Sequence, residues 1–163
     1  MPVTKRQQIV NELKLRLATI QIANGYQTDI GLNGGNPIDD WPTQYQEEEL
    51  EEATRLGVFE ITQRKPQDQP RQKGVMNTMS CQVRIFHKRG TTPAELRTMI
   101  GDVEQALIQD WESGDEDPTL GGVVVDMVSD EVGFIVPPDT FQIDGAAVAF
   151  DVLFLTNPFS AYE

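Results

Sequence analysis

Between residues 79 and 85, Met79, Cys81, Val83 and Ile85 alternate with Ser80, Gln82 and Arg84. A period of two sends the first set to one face of a strand and the second to the other, which fits a sheet that is apolar on one side only. Such a sheet requires a cover on its apolar side, and the chain supplies two amphipathic helices for it. In the first, over residues 4–23, Ile9, Val10, Leu13, Leu17 and Ile20 recur at three- and four-residue steps, with Thr4 and Gln7 placed as a capping box. Asn24 and Gly25 tolerate the left-handed conformation that closes a helix and are expected to stop it. The second opens on Thr92-Pro93-Ala94-Glu95, an N-cap, a proline at the first helical position and a capping glutamate. Leu96, Ile100, Val103, Leu107 and Trp111 carry it on at helical spacing, and "SGDEDP" ends it.

The remaining periodic stretches read as strands. Residues 26–30 form a short one after the Asn24-Gly25 stop. In residues 58–65, Phe59 and Ile61 lie on one side and Glu60, Thr62 and Arg64 on the other. Residues 123–128 and 132–136 give two more, a Pro137-Pro138-Asp139 turn follows, and residues 146–156 make a long run. Hairpin-length connections and the lack of alternating strands and helices predict an α+β fold. It has a mainly antiparallel sheet with the two helices packed on one face. The whole of residues 1–163 reads as a single domain, with a long basic hairpin loop at about 64–77 and an extended C-terminal tail at about 157–163. "GLNGGNPIDDWP" is a loop by composition, and the block Glu47, Glu48, Glu49, Glu51 and Glu52 reads as a solvated helical turn.

Several chemistries find no residues. Cys81 is the only cysteine and His87 the only histidine, so neither an internal disulfide nor a structural zinc site can form. His87 shares the parity of Met79 to Ile85 and reads as the end of an apolar strand face, and no G-x-S-x-G elbow exists for it to serve. "GLNGGNP" lacks the Gly-Lys-Ser/Thr ending of a phosphate loop. Asp39-Asp40, Glu47 to Glu52 and Asp115-Glu116-Asp117 could offer oxygen ligands to a hard cation, but none has the spacing of a calcium loop, and solvated loops account for them. The expectation is therefore a protein with no catalytic residue, metal or cofactor. A metal-dependent enzyme built on the acid clusters is the distant alternative. No apolar run approaches the ~18 residues of a membrane span, and the first residues lack the apolar core of a secretory signal, so a cytosolic start is expected.

Charge is unevenly divided. Residues 1–97 carry all 13 Lys and Arg against 12 acids, whereas residues 98–163 carry 14 acids and no Lys or Arg, within a net charge of −13. Such a surface repels phosphate backbones, so sequence-specific DNA binding is not expected, although DNA could pass it without sticking. Arg64, Lys65, Arg71 and Lys73 form the one concentrated basic patch, suited to docking on an acidic surface such as another copy's. Phe159 and Tyr162 lie beyond the Asn157-Pro158 break, outside any expected element, and point to contact with a partner's groove or with their own sheet.

The order of parts resembles a known family. The helix "IVNELKLRLATI" runs directly into "NGYQTDIG". "GVFEIT", "MSCQVRIFHKRG" and the helix "TPAELRTMIGDVEQAL" follow, and the chain closes on "VLFLTNPFSAYE". This order is similar to that of the tail terminator, or tail completion, proteins of long-tailed bacteriophages. The resemblance implies a virion protein of the tail and neck that assembles as a homohexameric ring on the end of the tail tube. There it stops tube growth and presents the joint for the head. Its partners would be further copies of itself, the tail tube protein and the head-tail connector or stopper, with DNA passing through the lumen and no membrane involved. The family brings no catalytic residues. A connector or stopper ring of the same neck is the neighbouring alternative. A closed ring needs two different matching patches on each subunit, and the base-containing first part and acid-only remainder supply a complementary pair. Arg64, Lys65, Arg71, Lys73, Phe159 and Tyr162 are expected at the subunit or tail-tube interface. Asp126, Asp130, Glu131 and Asp144 are expected to face the channel.

Overall fold

Thr4 begins the first helix: it sits in an extended conformation and its side chain accepts a hydrogen bond from Gln7 N–H at 3.2 Å. Helix α1 (Lys5–Ala18) buries Ile9, Val10, Leu13 and Leu17 and turns Leu15 outward. It stops five residues short of the expected end. Thr19 sends both its N–H and its hydroxyl back to the Arg16 carbonyl, a local bond that competes with further helix. Asn24-Gly25 closes a single 3-10 turn (Ile22–Asn24) in its place, with Gly25 at φ 93°.

The computed structural model describes residues 3–31, 54–64, 75–88, 91–110, 113–135 and 143–156. After α1 come strands β1 (Arg55–Arg64) and β2 (Val75–Lys88), helix α2 (Pro93–Ile108), and strands β3 (Asp126–Ile135) and β4 (Ile143–Thr156). The sheet order is β1-β2-β4-β3, and all three pairings are antiparallel. The expected α+β class holds, with both helices packed on one face of an antiparallel sheet. One connection departs from expectation: β2 and β3 run in the same direction, joined through α2, with β4 inserted between them as a split β-α-β unit.

Met79, Cys81, Val83 and Ile85 are all buried beneath the helices, and register sets them beside Val152, Phe150, Val148 and Ala146 of β4. From α2, Met99, Ile100, Val103, Ala106 and Leu107 close the same core. Each such side chain removed from water stabilises the fold by about 2 kcal/mol before conformational entropy is charged against it. The capping box of α2 is complete: Glu95 N–H donates to Thr92 Oγ1 at 3.2 Å, and Thr92 N–H donates to Glu95 Oε2 at 2.8 Å.

Three strand expectations need correction. Residues 26–30 form no strand: Gln27 N–H and the Thr28 hydroxyl donate to a side-chain acceptor described below, and Tyr26 N–H to the Gln21 carbonyl, rather than to a ladder. In β1 the helix-facing residues are Leu56 and Val58, with Glu60 paired to Arg6 of α1, so Phe59 lies on the opposite face beneath the Arg84 guanidinium. A bulge at Ile61 then shifts the register, so that Thr62 pairs with Ser80 and strict alternation fails. Residues 123–136, read as two strands, hold one: β3 absorbs its acidic break as a bulge in which Asp130 and Glu131 face the single residue Ala149. Trp111, Asp39-Asp40 and the Glu47 to Glu52 block lie outside the described residues.

Candidate assembly surfaces

Strand β3 is an edge of the sheet, and it exposes apolar side chains on both faces. Val128, opposite Asp151 on the helix-free face, is 49% exposed, and Phe134, opposite Ala146 on the helix side, is 46% exposed. Val132 adds to the helix side and Leu155 of β4 to the other. Edge strands of this kind present unpaired backbone groups and apolar surface together, the combination that seeks a further chain. The bulge at Asp130 and Glu131 interrupts the edge and sets two carboxylates at its centre, which limits where another strand can pair.

Between β3 and α2 runs a shallow apolar seam. One end is a cavity of about 290 Å³ lined by Arg97, Ile100, Val132, Gly133 and Phe134, with the Arg97 guanidinium 5.9 Å from the centre of the Phe134 ring. The other, of about 150 Å³, is lined by Glu104, Leu107, Ile108, Met127, Ser129, Val148 and Phe150. Sequence reasoning missed this seam because residues 132–136 read simply as a strand, with no sign that Val132 and Phe134 remain exposed beside α2. The signal was Arg97 itself, the last base before the base-free part of the chain.

The other edge is β1. Arg64 ends it, its backbone paired with Thr78; the rest of the expected basic loop, with Lys65, Arg71 and Lys73, lies outside the described residues, as do Phe159 and Tyr162. Strand β2 begins at Val75, within the span expected for that loop. Of the four acids expected to face the channel, Asp126, Asp130 and Glu131 are all exposed on β3. Asp144 is on β4. It pairs with His87 near the start of β4, whereas Asp126 pairs with Leu153, about 30 Å further along the strand.

Two clasps fix these surfaces relative to the helices. Asp102, buried on α2, accepts hydrogen bonds from Gln27 N–H at 3.0 Å and Thr28 Oγ1 at 2.6 Å, while Asp29 Oδ1 accepts from Ile22 N–H at 2.7 Å. Arg16 of α1 donates to the Leu107 carbonyl at 2.9 Å, at the end of α2, and to Asp117 Oδ2 at 2.6 Å. Asp117 in turn accepts from the Thr119 hydroxyl at 2.5 Å, from Thr119 N–H at 3.0 Å and from Gly121 N–H at 2.7 Å. The Thr119 hydroxyl leads in lowering its pKa to about 2, with the two backbone donors and the Arg16 charge adding to it against a smaller opposing effect of desolvation. One member of the Asp115-Glu116-Asp117 cluster is therefore a structural acceptor that shapes the turn into β3. Asp102 was legible in principle, since an acid inside the apolar stripe of Met99, Val103 and Ala106 has to find donors.

Reactive groups are engaged or sealed. His87 Nδ1 is hydrogen-bonded to Thr54 Oγ1. Burial, helped by the Asp151 charge, pushes the Cys81 thiol up to about 12, which keeps it protonated and inert. Among the described residues no group of three or more His, Cys, Asp or Glu side chains comes together as a metal site, and no helix is long and apolar enough to cross a membrane. No protein-family model matches the chain, and no curated protein matches it significantly in sequence.

Proposed function

We propose that this chain is a structural virion subunit of a long-tailed phage, a tail terminator that closes into a hexameric ring on the tail tube, ends its growth and offers the joint for the head. The observation that carries this reading is edge strand β3, apolar on both faces and acidic at its bulge, set at the opposite side of the sheet from the base-containing end of β1. Two unlike edges on one subunit are what a head-to-tail ring contact requires, since one patch must match the other at every joint until the circle closes. Opposite charge at the two edges favours that register and opposes like-to-like pairing. Asp126 registers on the helix-free face, so in a ring that turns this face to the lumen the β3 acids line the wall beside each joint. A wall of carboxylates repels DNA phosphates and lets the duplex slide.

The reading is tested by adding the purified chain, below stoichiometry, to polymerising tail tube protein. Tubes should stop lengthening, and a chain carrying Asp126→Lys and Glu131→Lys should stop them less well. Arrest by both chains alike would remove β3 from the joint. Tubes that grow unchecked, with the chain bound to filled heads in their place, would assign it to the neighbouring connector ring.

A further inference from the structure

We propose that the α2–β3 seam is the receptor for residues 157–163 of a second copy of this chain, an inference that deepens the ring reading and rests on it for closure of the circle. Phe159 would enter the cavity lined by Met127, Ser129 and Phe150, and Tyr162 the cavity beside Phe134 and Arg97.

Spacing, charge and reach each support this occupant. The two cavities follow α2 from Ile100 to Leu107, which spans about 10.5 Å along the helix axis. Phe159 and Tyr162 are three residues apart, and three residues of extended chain span at most about 11 Å, which matches that spacing. Glu163 follows Tyr162, and Arg97 stands at one end of the seam while Glu104 stands at the other. Charge therefore sets the direction, with Tyr162-Glu163 at the Arg97 end. The tail of the same copy falls short: Met127 pairs with Val152, about 13 Å along β4 from Thr156, and Ser129 pairs with Phe150, about 20 Å away. Three residues from Thr156 to Phe159 span at most about 11 Å even when fully extended and pointed straight back. Reach therefore favours the tail of a second copy over the chain's own.

The test mixes two full-length chains, one carrying Arg97→Cys and the other Glu163→Cys, under mild oxidation. Arg97 is exposed on α2, so its replacement leaves the core intact, and buried Cys81 stays out of the reaction. The expected product is a disulfide between the two chains, lost when the second chain also carries Phe159→Ser and Tyr162→Ser. Absence of the cross-link would overturn the proposal, as would equal cross-linking of Glu163→Cys to Ile108→Cys at the opposite end. A single chain bearing both Arg97→Cys and Glu163→Cys that closes on itself at high dilution would overturn the assignment in trans. Rings that form without the cross-link leave the ring reading standing and remove the seam; cross-linked pairs that never form rings do the reverse.

Discussion

The carboxylate of Asp102, on α2, holds Gln27 and Thr28, which lie 75 and 74 positions earlier in the chain, through bonds of 3.0 and 2.6 Å. That contact fastens "NGYQTDIG" to the second helix, so the segment between α1 and the sheet is a bracket between the two helices. Gln27 and Thr28 are satisfied from the side by Asp102, Asp29 of the segment accepts from Ile22 N–H, and Tyr26 and Ile30 are buried beside them.

Replacing Asp102 by Ala leaves the Gln27 N–H and the Thr28 hydroxyl without their acceptor at a part-buried site beside the core. The expected loss is about 2–3 kcal/mol of stability by urea denaturation. Asp102→Asn should cost less than half of that, because its amide oxygen still accepts from Gln27 and the Thr28 hydroxyl can rotate to accept from the amide. Equal losses for the two would mean that the bracket does not depend on this acceptor.

Gly31 and Gly25 separate two reasons for glycine in the same segment. A Cβ at Gly31 would stand 2.6 Å from the Leu17 carbonyl and 2.8 Å from that of Ala18, with backbone on both sides and nothing flexible to yield. A Cβ at Gly25 meets open space, and only its φ of +93° opposes a side chain. Gly25→Ala should therefore cost about 1 kcal/mol, and Gly31→Ala about 1–3 kcal/mol through overpacking. Thermal melts of the two variants check the order.

Asp117 sets the acid limit of the Arg16 clasp. Its pKa falls from the ordinary 3.8 to about 2, so the folded state holds the ionised form more strongly than the unfolded chain does. That contribution is fully present above the ordinary carboxylate pKa and is lost as pH falls through about 2. The melting temperature of the natural chain should drop between pH 4 and pH 2 by more than that of Asp117→Asn, which has no charge to lose. Parallel curves would show that the clasp does not titrate with Asp117.

The sheet, its helix cover and the capped second helix were legible because each rests on a local period or cap. Met79 to Ile85 and Thr92 to Glu95 report their own surroundings. What misled was geometry that periodicity does not encode. The bulges at Ile61 and at Asp130-Glu131 each insert one residue, which breaks the alternation in β1 and disguises β3 as two strands. Residues 26–30 alternate like a strand, yet side-chain acceptors from distant positions satisfy them, and only the tertiary fold supplies those. The acids of β3 were legible as a charge pattern. Where they stand relative to Asp144 depends on the register of β3 against β4, which no local signal carries.

Electron microscopy of the purified protein bound to isolated tail tubes would decide whether the chain closes into a terminating ring. A closed ring of about six copies should sit on one end of each tube, joined head to tail so that every copy presents both sheet edges to its neighbours. Bare tube ends, or single copies scattered along the tube wall, would contradict it.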